Sequence, residues 1–481
     1  MNLHLQRARL QTRRQFLKAC HTGLGAVALA ALLDRDGRAA AANPMTPRQP
    51  HFPAKAKHVI YLHMSGAPPQ HDLFDYKPKL VELHMKPCPE ELLKGQRFAF
   101  IKGRPNLLGS PYKFQRHGQS GAWVSELWPH FSQMVDHVAF VKAMYTDQFN
   151  HAPAELFLYT GSPRAGGAGM GAWATYGLGS ESQNLPGFVV LISGVTDPTG
   201  GKALWSTGYL PSVFQGVQCR TTGDPVLYVN NPAGMDRAVR RRSLDALRKL
   251  NEIELQEFGD PETLTRINQY ELAFRMQMSV PEVMDVRQEP RKLLDLYGAK
   301  PGASSFANNC LLARRLVERG VRFVQLYDWG WDTHGTNPGD DIITALPRKC
   351  KETDRPIAAL LKDLKARGLL DETLVIWGGE FGRTSMNEAR GGSKYLGRDH
   401  HPHCFTIWLA GAGVKAGVTH GATDELGYFI TEGRTSVPDL QATILHLLGL
   451  DAWRLRYPFQ GLQQRLIGPE GKAEVRKEVL A

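Results

Sequence analysis

Short apolar runs alternate with amphipathic segments along most of this chain. Strands are predicted over residues 59–64, 138–141, 188–192, 321–327, 373–377 and 405–410. Several of these runs are apolar at consecutive positions, which is typical of strands buried on both faces in a parallel sheet. Helices are predicted over residues 237–258, 264–278, 304–318, 354–366 and 437–448, with another beginning at Pro153. This alternation predicts an α/β fold, a doubly wound sheet with helices on both faces.

The segments outside and between these elements define the predicted domain organisation. Residues 43–56 are rich in proline and polar side chains and are predicted to form a linker. The 42% hydrophobic content of the chain is ample for one large domain or two smaller ones. Residues 57–470 are predicted to form a single large α/β domain. Within that domain, residues 194–300 are expected to form long loops or cap helices, and residues 471–481 a tail.

The first 42 residues have the pattern of an export signal. Residues 12–18, TRRQFLK, match the twin-arginine motif, and an apolar segment at 23–33 precedes four alanines at 39–42. The apolar segment is too short to span a bilayer as a stable helix. We therefore expect a twin-arginine (Tat) signal peptide, passage through the Tat translocase, and a periplasmic or otherwise exported mature chain without a transmembrane segment.

The positive charge of the chain is partly explained by this signal. The formal net charge is +11, and residues 1–42 carry seven Lys/Arg against two Asp/Glu. The remaining surplus is scattered, with no basic run interleaved with aromatics, so no nucleic-acid partner is expected. A mild positive field favours anionic substrates.

Candidate metal ligands follow the strands predicted at 321–327 and 373–377, or lie in a short segment with the sequence GRDHHPH. They are Asp332, His334, Glu380, Asp399, His400 and His403. Ligands collect at the carboxyl ends of strands in open α/β sheets, and carboxylates with imidazoles bind divalent ions. The pattern predicts one metal site formed by Asp332, His334 and His400, with His403 or Asp399 in reserve as a further ligand.

Five further residues are candidates for binding or catalysis. Ser65 and Asp72 follow the first predicted strand. His151 is placed at the N-terminus of a predicted helix, where the backbone attracts anions. Arg383 follows Glu380 in the loop after the 373–377 strand, and Arg398 lies beside the histidines; both are suited to bidentate contacts with an anionic group. Ser65 and Arg398 are therefore predicted to bind substrate, and His151 and Arg383 to act in catalysis.

Four motifs resemble those of the alkaline phosphatase and sulfatase superfamily. Residues 437–450 are similar to its C-terminal helix ending in Leu-Gly, and residues 373–382 to its strand that ends in a metal-binding Asp-His pair. Residues 151–161 resemble the nucleophile helix of sulfatases, and residues 399–400 the Asp-His ligand segment of phosphomutases. With the export signal, the chain resembles in particular a Tat-exported branch, family 1501 of the domains of unknown function.

The resemblance implies an alkaline-phosphatase-like fold and a site for one or two divalent ions (Zn, Ca, Mg or Mn), but three positions depart from the pattern. Ser65 stands where the first strand should end in a metal-binding Asp, and His151 where a Ser, Thr or Cys nucleophile is expected. Glu380 keeps the carboxylate of the Asp-His pair, while its imidazole is replaced by Phe381. A second, incomplete metal site would then consist of Glu380 and Asp72.

These features predict an exported, metal-dependent hydrolase-like protein that acts on phosphate or sulfate esters of an anionic small molecule or polysaccharide. His151 is then a nucleophile, a metal ligand or a general base, and the absence of a hydroxyl nucleophile favours the last two. The alternative is a catalytically inactive metal-binding or assembly protein of the cell envelope. An oxidoreductase is disfavoured, because no GxGxxG motif and no cysteine spacing for iron–sulfur or haem is present.

Overall fold

The structure, a computed structural model, describes residues 43–221, 223–226, 231, 234–258, 261–469 and 472–481. The predicted twin-arginine signal at residues 1–42 lies outside the described residues. None of the described helices combines the length and the hydropathy that a membrane span requires.

Within the described residues, the centre of the molecule is a nine-stranded sheet. Its strands are β1 (His58–Ser65), β2 (Val138–Tyr145), β3 (Phe188–Ser193), β4 (Val217–Cys219), β5 (Phe323–Trp329), β6 (Thr373–Gly378), β7 (Phe405–Ala410), β8 (Val418–His420) and β9 (Thr435–Ser436). The spatial order is β8-β2-β7-β6-β1-β5-β3-β4, and β9 also pairs with β2. Strand β7 is antiparallel to β2 and β6, whereas the other pairings are parallel. The sheet is therefore mixed.

Helices and small hairpins connect these strands. The α-helices described are α1 (Gln70–Leu73), α2 (Pro78–Glu82), α3 (His151–Thr160), α4 (Met170–Leu178), α5 (Arg237–Phe258), α6 (Pro261–Met284), α7 (Arg291–Tyr297), α8 (Phe306–Glu318), α9 (Ala345–Ala366) and α10 (Val437–Leu447). Two-stranded pairs join Phe114–His117 to Ala122–Ser125, Gly382–Arg383 to His400–His401, Ala422–Thr423 to Ile430–Glu432, and Tyr457–Phe459 to Leu462–Gln464. The region predicted to hold long loops or cap helices contains β4, α5, α6 and α7.

The sheet separates two hydrophobic cores, because successive side chains of a strand point to opposite faces. In β1, Ile60 and Leu62 pack into the core that also contains the buried faces of α8 and α9. Val59 and Tyr61 pack into the other core, which contains residues of α3, α4 and α10. Helices thus cover both faces of the sheet, and the predicted α/β fold class is confirmed.

Several boundaries differ from the prediction, and two of these differences have identifiable reasons. Helix α3 begins at His151, two residues before the expected Pro153, with Asn150 in an extended conformation at the N-cap. Helix α9 begins at Ala345 and continues through Pro356 instead of beginning near it. Proline normally interrupts a helix, but the buried face of α9, which includes Leu346 and Leu360, holds it against the core.

Candidate metal centre

The predicted ligands meet where three neighbouring strands of the sheet end. Strands β6, β1 and β5 are adjacent and parallel, so the loops that follow them emerge at the same edge. Asp332 follows β5, and Glu380 follows β6. A two-stranded pair then places His400 opposite Arg383, and the first turn of α3 supplies His151. Elements distant in sequence therefore converge at one edge.

Three imidazoles surround one carboxylate oxygen in what we call the Asp332 centre, formed by His151, Asp332, His334 and His400. The Nε2 atoms of His151, His334 and His400 lie 3.2, 2.8 and 3.4 Å from Oδ1 of Asp332. The structure therefore brings together Asp332, His334 and His400 as predicted, and adds His151 to them.

The opposite ring nitrogen of each imidazole has its own acceptor. Nδ1 of His151 lies 2.5 Å from Oε1 of Glu380, and Nδ1 of His400 lies 2.7 Å from the carbonyl oxygen of Phe149. Nδ1 of His334 is bonded to the carboxylate of Glu388. Because carboxylate and carbonyl oxygens accept, each Nδ1 donates in these bonds. Donation from Nδ1 leaves each Nε2 available as a ligand.

The charges in the centre shift its pKa values in opposite directions. Burial opposes a charge on His151, but hydrogen bonds with Asp332 and Glu380 outweigh this and raise the pKa of His151 to about 9. Burial lowers the pKa of His400 to about 4, and the nearby charges of Arg383 and His151 add to this effect. Burial acts to raise the pKa of Asp332, but Arg383 and the three imidazoles outweigh it and hold that pKa well below its usual range.

Arg383 and Gly66 fix the position of Asp332. The guanidinium of Arg383 is fully buried and donates to Asp332 and to the carbonyl oxygens of Gly66, Ala67 and Arg398. Gly66 has φ +107°, and a Cβ there would lie 2.5 Å from the backbone nitrogen of Asp332. Because each nitrogen of its guanidinium donates to the protein, Arg383 is placed to position Asp332.

A second group lies beneath the Asp332 centre and is called here the buried triad: His63, Glu155 and Glu380. Nε2 of His63 lies 3.4 Å from Oε1 of Glu155 and 3.4 Å from Oε2 of Glu380. All three side chains are completely inaccessible to solvent. Because Oε1 of the same Glu380 is bonded to His151, this carboxylate connects the triad to the Asp332 centre.

Asp72 and Arg398 belong to neither group and pair with each other. Nε and Nη2 of Arg398 are 2.7 and 3.0 Å from the two carboxylate oxygens of Asp72. Nη1 of Arg398 donates to the carbonyl oxygens of Leu108 and Thr384, and both side chains of the pair are fully buried. Asp72 therefore does not join Glu380 in a metal site, and Arg398 has no free guanidinium nitrogen to bind substrate.

The other predicted residues take different places. Asp399 accepts hydrogen bonds from the backbone nitrogens of Phe100, Ile101 and His400, so it orders the loops around the centre. Its carboxylate also approaches His334 and Glu388. His403 is exposed and packs its ring against His401, outside the ligand groups found among the described residues. Ser65 is fully buried at the end of β1 and is not open to substrate.

Three residues of the site were missed from the sequence. His63 lies inside the apolar run of β1, where a single polar residue among buried ones was its only signal. Glu155 follows His151 by four residues, a spacing that puts both on one helix face and could have suggested it. Glu388 lies in an irregular loop, and only the structure connects it to His334.

The Asp332 centre opens to solvent on one side. The side chains of Asp332 and His151 are 27% and 13% exposed. Phe100, itself 38% exposed, packs edge-on against the rings of His334 and His400. The guanidinium of Arg390 lies over the ring of Phe100, with its carbon 3.6 Å from the ring centroid. An aromatic ring and a cation therefore line the rim of the centre.

These donors fit a divalent cation. With metal–ligand bonds of about 2.1 Å, ligand atoms at two corners of a tetrahedron lie about 3.4 Å apart. The separations of Asp332 from His151 and His400 are close to this value, and every candidate ligand atom of the centre lies within 4.8 Å of the others. Imidazole and carboxylate donors suit zinc, and also manganese and other first-row ions.

Comparison with solved structures finds 119 similar chains. One is a sulfatase from Pseudoalteromonas sp., with 11% identity, a TM-score of 0.34, and coverage of 88% of this chain and 70% of that chain. Another is a phosphonate monoester hydrolase from Silicibacter pomeroyi, with 11% identity, a TM-score of 0.36, and coverage of 88% and 76%. A third is a protein in the alkaline phosphatase superfamily from Vibrio parahaemolyticus, with 12% identity, a TM-score of 0.35, and coverage of 90% and 74%.

No curated protein matches the chain. A family model with the description "Protein of unknown function (DUF1501)" matches residues 56–479, nearly the whole of the described part. This match confirms the resemblance to family 1501 drawn from the sequence motifs, and the chain belongs to the DUF1501 family.

Proposed function

We propose that this protein is an exported, metal-dependent hydrolase that acts on phosphate or sulfate esters at the Asp332 centre. The observation that carries the proposal is the common orientation of three imidazoles. His151, His334 and His400 each direct Nε2 at Asp332 and donate Nδ1–H to a separate acceptor. Metal-binding histidines are typically oriented in this way by a second hydrogen bond.

In this proposal the four side chains of the Asp332 centre hold the cation, and their neighbours keep them in place. Glu380 fixes the ring of His151, and Glu388 fixes the ring of His334. Arg383 positions Asp332 from the buried side. A divalent cation bound there would polarise an ester oxygen and lower the pKa of a bound water towards neutrality.

The role assigned to His151 is that of a metal ligand. Its Nδ1 donates to Glu380, and Nε2 faces Asp332 and the other imidazoles. A cation that displaces the proton from Nε2 would find a ligand there. The hydroxyl of Ser65 is buried in β1 and does not replace the nucleophile that the superfamily carries at the position of His151. Hydrolysis by activated water, without a covalent intermediate on the protein, fits this set of residues.

The substrate class rests on the sequence resemblance and on the charges of the rim. The motifs are similar to those of enzymes for phosphate and sulfate esters, and the side chain of Arg390 at the rim is 37% exposed. Phe100 beside it offers an aromatic edge to a substrate. An anionic small molecule or a polysaccharide ester satisfies both features.

The test combines metal analysis with an ester screen. The mature protein, purified from the exporting host, is analysed for bound metals and assayed with nitrophenyl phosphate, a nitrophenyl phosphodiester and nitrophenyl sulfate. We expect bound metal and turnover of at least one ester, and in His400→Ala a loss of turnover of roughly 100-fold or more. His403→Ala is the matched control, since this exposed imidazole lies three residues along the chain and outside the centre.

The outcomes separate the two candidate functions. Metal without turnover of any ester supports the alternative, a metal-binding or assembly protein, which the missing hydroxyl nucleophile at position 151 would also explain. Absence of bound metal contradicts both candidates.

Export is proposed from residues 12–18, TRRQFLK. Replacing both arginines of the motif (Arg13→Lys with Arg14→Lys) should retain the protein in the cytoplasm, measured by cell fractionation. Unchanged export of this double variant contradicts passage through the Tat translocase.

A further inference from the structure

We propose that the buried triad of His63, Glu155 and Glu380 is a second divalent-cation site, closed to solvent and structural in role. The inference goes beyond the proposed function, because a protein that hydrolyses no ester could still hold this ion. It also replaces the sequence-based pairing of Glu380 with Asp72, which the ion pair of Asp72 with Arg398 excludes.

The first argument is the hydrogen bonding of the two carboxylates. Oε2 of Glu155 accepts from the hydroxyl of Thr199 and the backbone nitrogen of Gly200, at 2.8 and 2.6 Å. Oε1 of Glu380 accepts from His151 and from the backbone nitrogen of Gly66. The remaining oxygen of each carboxylate is buried, makes no hydrogen bond with a described residue, and is the one near His63.

The second argument is distance. Nε2 of His63 is 3.4 Å from both of these oxygens, and the three atoms lie within 4.8 Å of one another. A direct N–H···O bond is normally shorter, about 2.9–3.0 Å. Ligands of a tetrahedral ion with bonds of about 2.1 Å are separated by about 3.4 Å. The spacing therefore matches ligands around an ion better than a hydrogen-bonded cluster.

The third argument is charge. Glu155 and Glu380 place two carboxylates in a region that solvent does not reach. Glu380 is also bonded to His151, whereas His63 is the ion-pair partner found for Glu155 among the described residues, and burying an unpaired charge is costly. Protonation of His63 would offset one of them, but its Nδ1 makes no hydrogen bond with a described residue. An imidazolium would thus bury an unbonded charged N–H group. A divalent cation offsets both carboxylates and needs only the Nε2 lone pair of a neutral ring.

The position of the triad defines what the ion would do. His63 belongs to β1, Glu155 to α3, and Glu380 to the loop after β6. The ion would join these three elements and hold Glu380 against His151. It would therefore support the Asp332 centre from below without contacting substrate. One imidazole and two carboxylates suit zinc or manganese.

Metal stoichiometry of the full mature chain tests the inference. The protein is stripped with a chelator, reloaded separately with Zn²⁺ and Mn²⁺, and analysed for metal per chain. We expect about two ions in the wild type and a loss of about one in His63→Asn and in Glu155→Gln. Asp332→Asn should also lose about one ion and keep the buried one. Tyr61→Phe is the matched control, since Tyr61 is fully buried beside His63 and lies outside the ligand set.

Crystals of the reloaded wild type provide a second measurement that needs no variant. Anomalous scattering at the metal edge should give one peak among His63, Glu155 and Glu380 and another at the Asp332 centre. A single peak at the Asp332 centre, with one ion per chain, overturns the buried site and leaves the proposed function standing. Two ions retained in both His63→Asn and Glu155→Gln also overturn it. A peak at the triad alone would instead contradict the proposed function.

Discussion

Glu388 lies outside the Asp332 centre and bonds to one of its imidazoles. It accepts the hydrogen bond from Nδ1 of His334 and is itself bonded to Arg390. In Glu388→Gln the acceptor is weakened and the ring of His334 is less well oriented. We expect metal affinity to fall by about 10- to 100-fold, measured by competition with a chromogenic chelator. Glu352→Gln, the same change at an exposed carboxylate, is the control, and equal affinities in the two variants would contradict the assigned role.

Gly66 has no side chain, and this allows its backbone to approach the backbone of Asp332 closely. Gly66→Ala would force a Cβ to within 2.5 Å of the backbone nitrogen of Asp332, at a φ of +107°. Strain of this kind costs about 1–3 kcal/mol, and the clash adds to it. We expect a lower free energy of unfolding in urea together with loss of bound metal.

Gly368→Ala isolates the strain from the clash. Gly368 also has a positive φ, +71°, but a Cβ there would meet no atom within 4 Å. We expect a loss of only about 1 kcal/mol and full metal content. If Gly66→Ala and Gly368→Ala had the same free energy of unfolding and the same metal content, the close approach of Gly66 to Asp332 would not matter for metal binding.

The sequence predicted those ligands whose position follows from a strand end. Asp332 and His334 come directly after β5, so the shared carboxyl edge of the sheet was sufficient to place them. Asp72 also follows a strand, but its partner is Arg398, more than 300 residues away, and that pairing has no local signal. His63 was missed for a related reason, since the role proposed for it depends on Glu155, which another element supplies.

At the scale of the elements, the strands were predicted best, because a strand buried on both faces is a run of consecutive apolar residues. Strands β1, β3, β6 and β7 all lie where such runs occur. The direction of β7 could not be predicted, because an apolar run has the same composition whether it pairs parallel or antiparallel. Pairing direction depends on the connections, and the chain reaches β7 through the two-stranded pair of Gly382–Arg383 with His400–His401, called here the site hairpin.

The N-terminus of helix α10 allows a test of helix capping, because Ser436 and Asp439 form a capping box there. Ser436 accepts a hydrogen bond from the backbone nitrogen of Asp439, and Asp439 accepts one from that of Ser436, which forms a capping box. Ser436→Ala should lower the free energy of unfolding in urea by about 1 kcal/mol. Ser243→Ala in α5, whose hydroxyl donates to Val239 within the helix, should change it by less than about 0.5 kcal/mol. Equal losses in the two variants would contradict a capping role.

At the scale of the whole molecule, the Asp332 centre and the buried triad place several carboxylates at the edge of the sheet where three strands end. Asp332, Glu380, Glu155 and Glu388 lie within one connected set of imidazoles and carboxylates. Its members come from β1, α3, the loops after β5 and β6, and the site hairpin. Cations bound there would bridge segments that are distant in the chain, so folding and metal binding should be coupled.

That coupling gives the last prediction. A cation that binds the folded chain alone adds stability that grows with its concentration, about 2.7 kcal/mol when the free ion is 100-fold above its dissociation constant. Removing metal with a chelator should therefore lower the Tm of the wild type, and adding Zn²⁺ or Mn²⁺ should restore it. Asp332→Asn should reduce the shift, because one of the two sites loses its central carboxylate, and Asp332→Asn combined with His63→Asn should abolish it. A Tm that does not change when the chelator removes the metal would contradict this prediction, because it would mean that the ions bind the folded and the unfolded chain equally well.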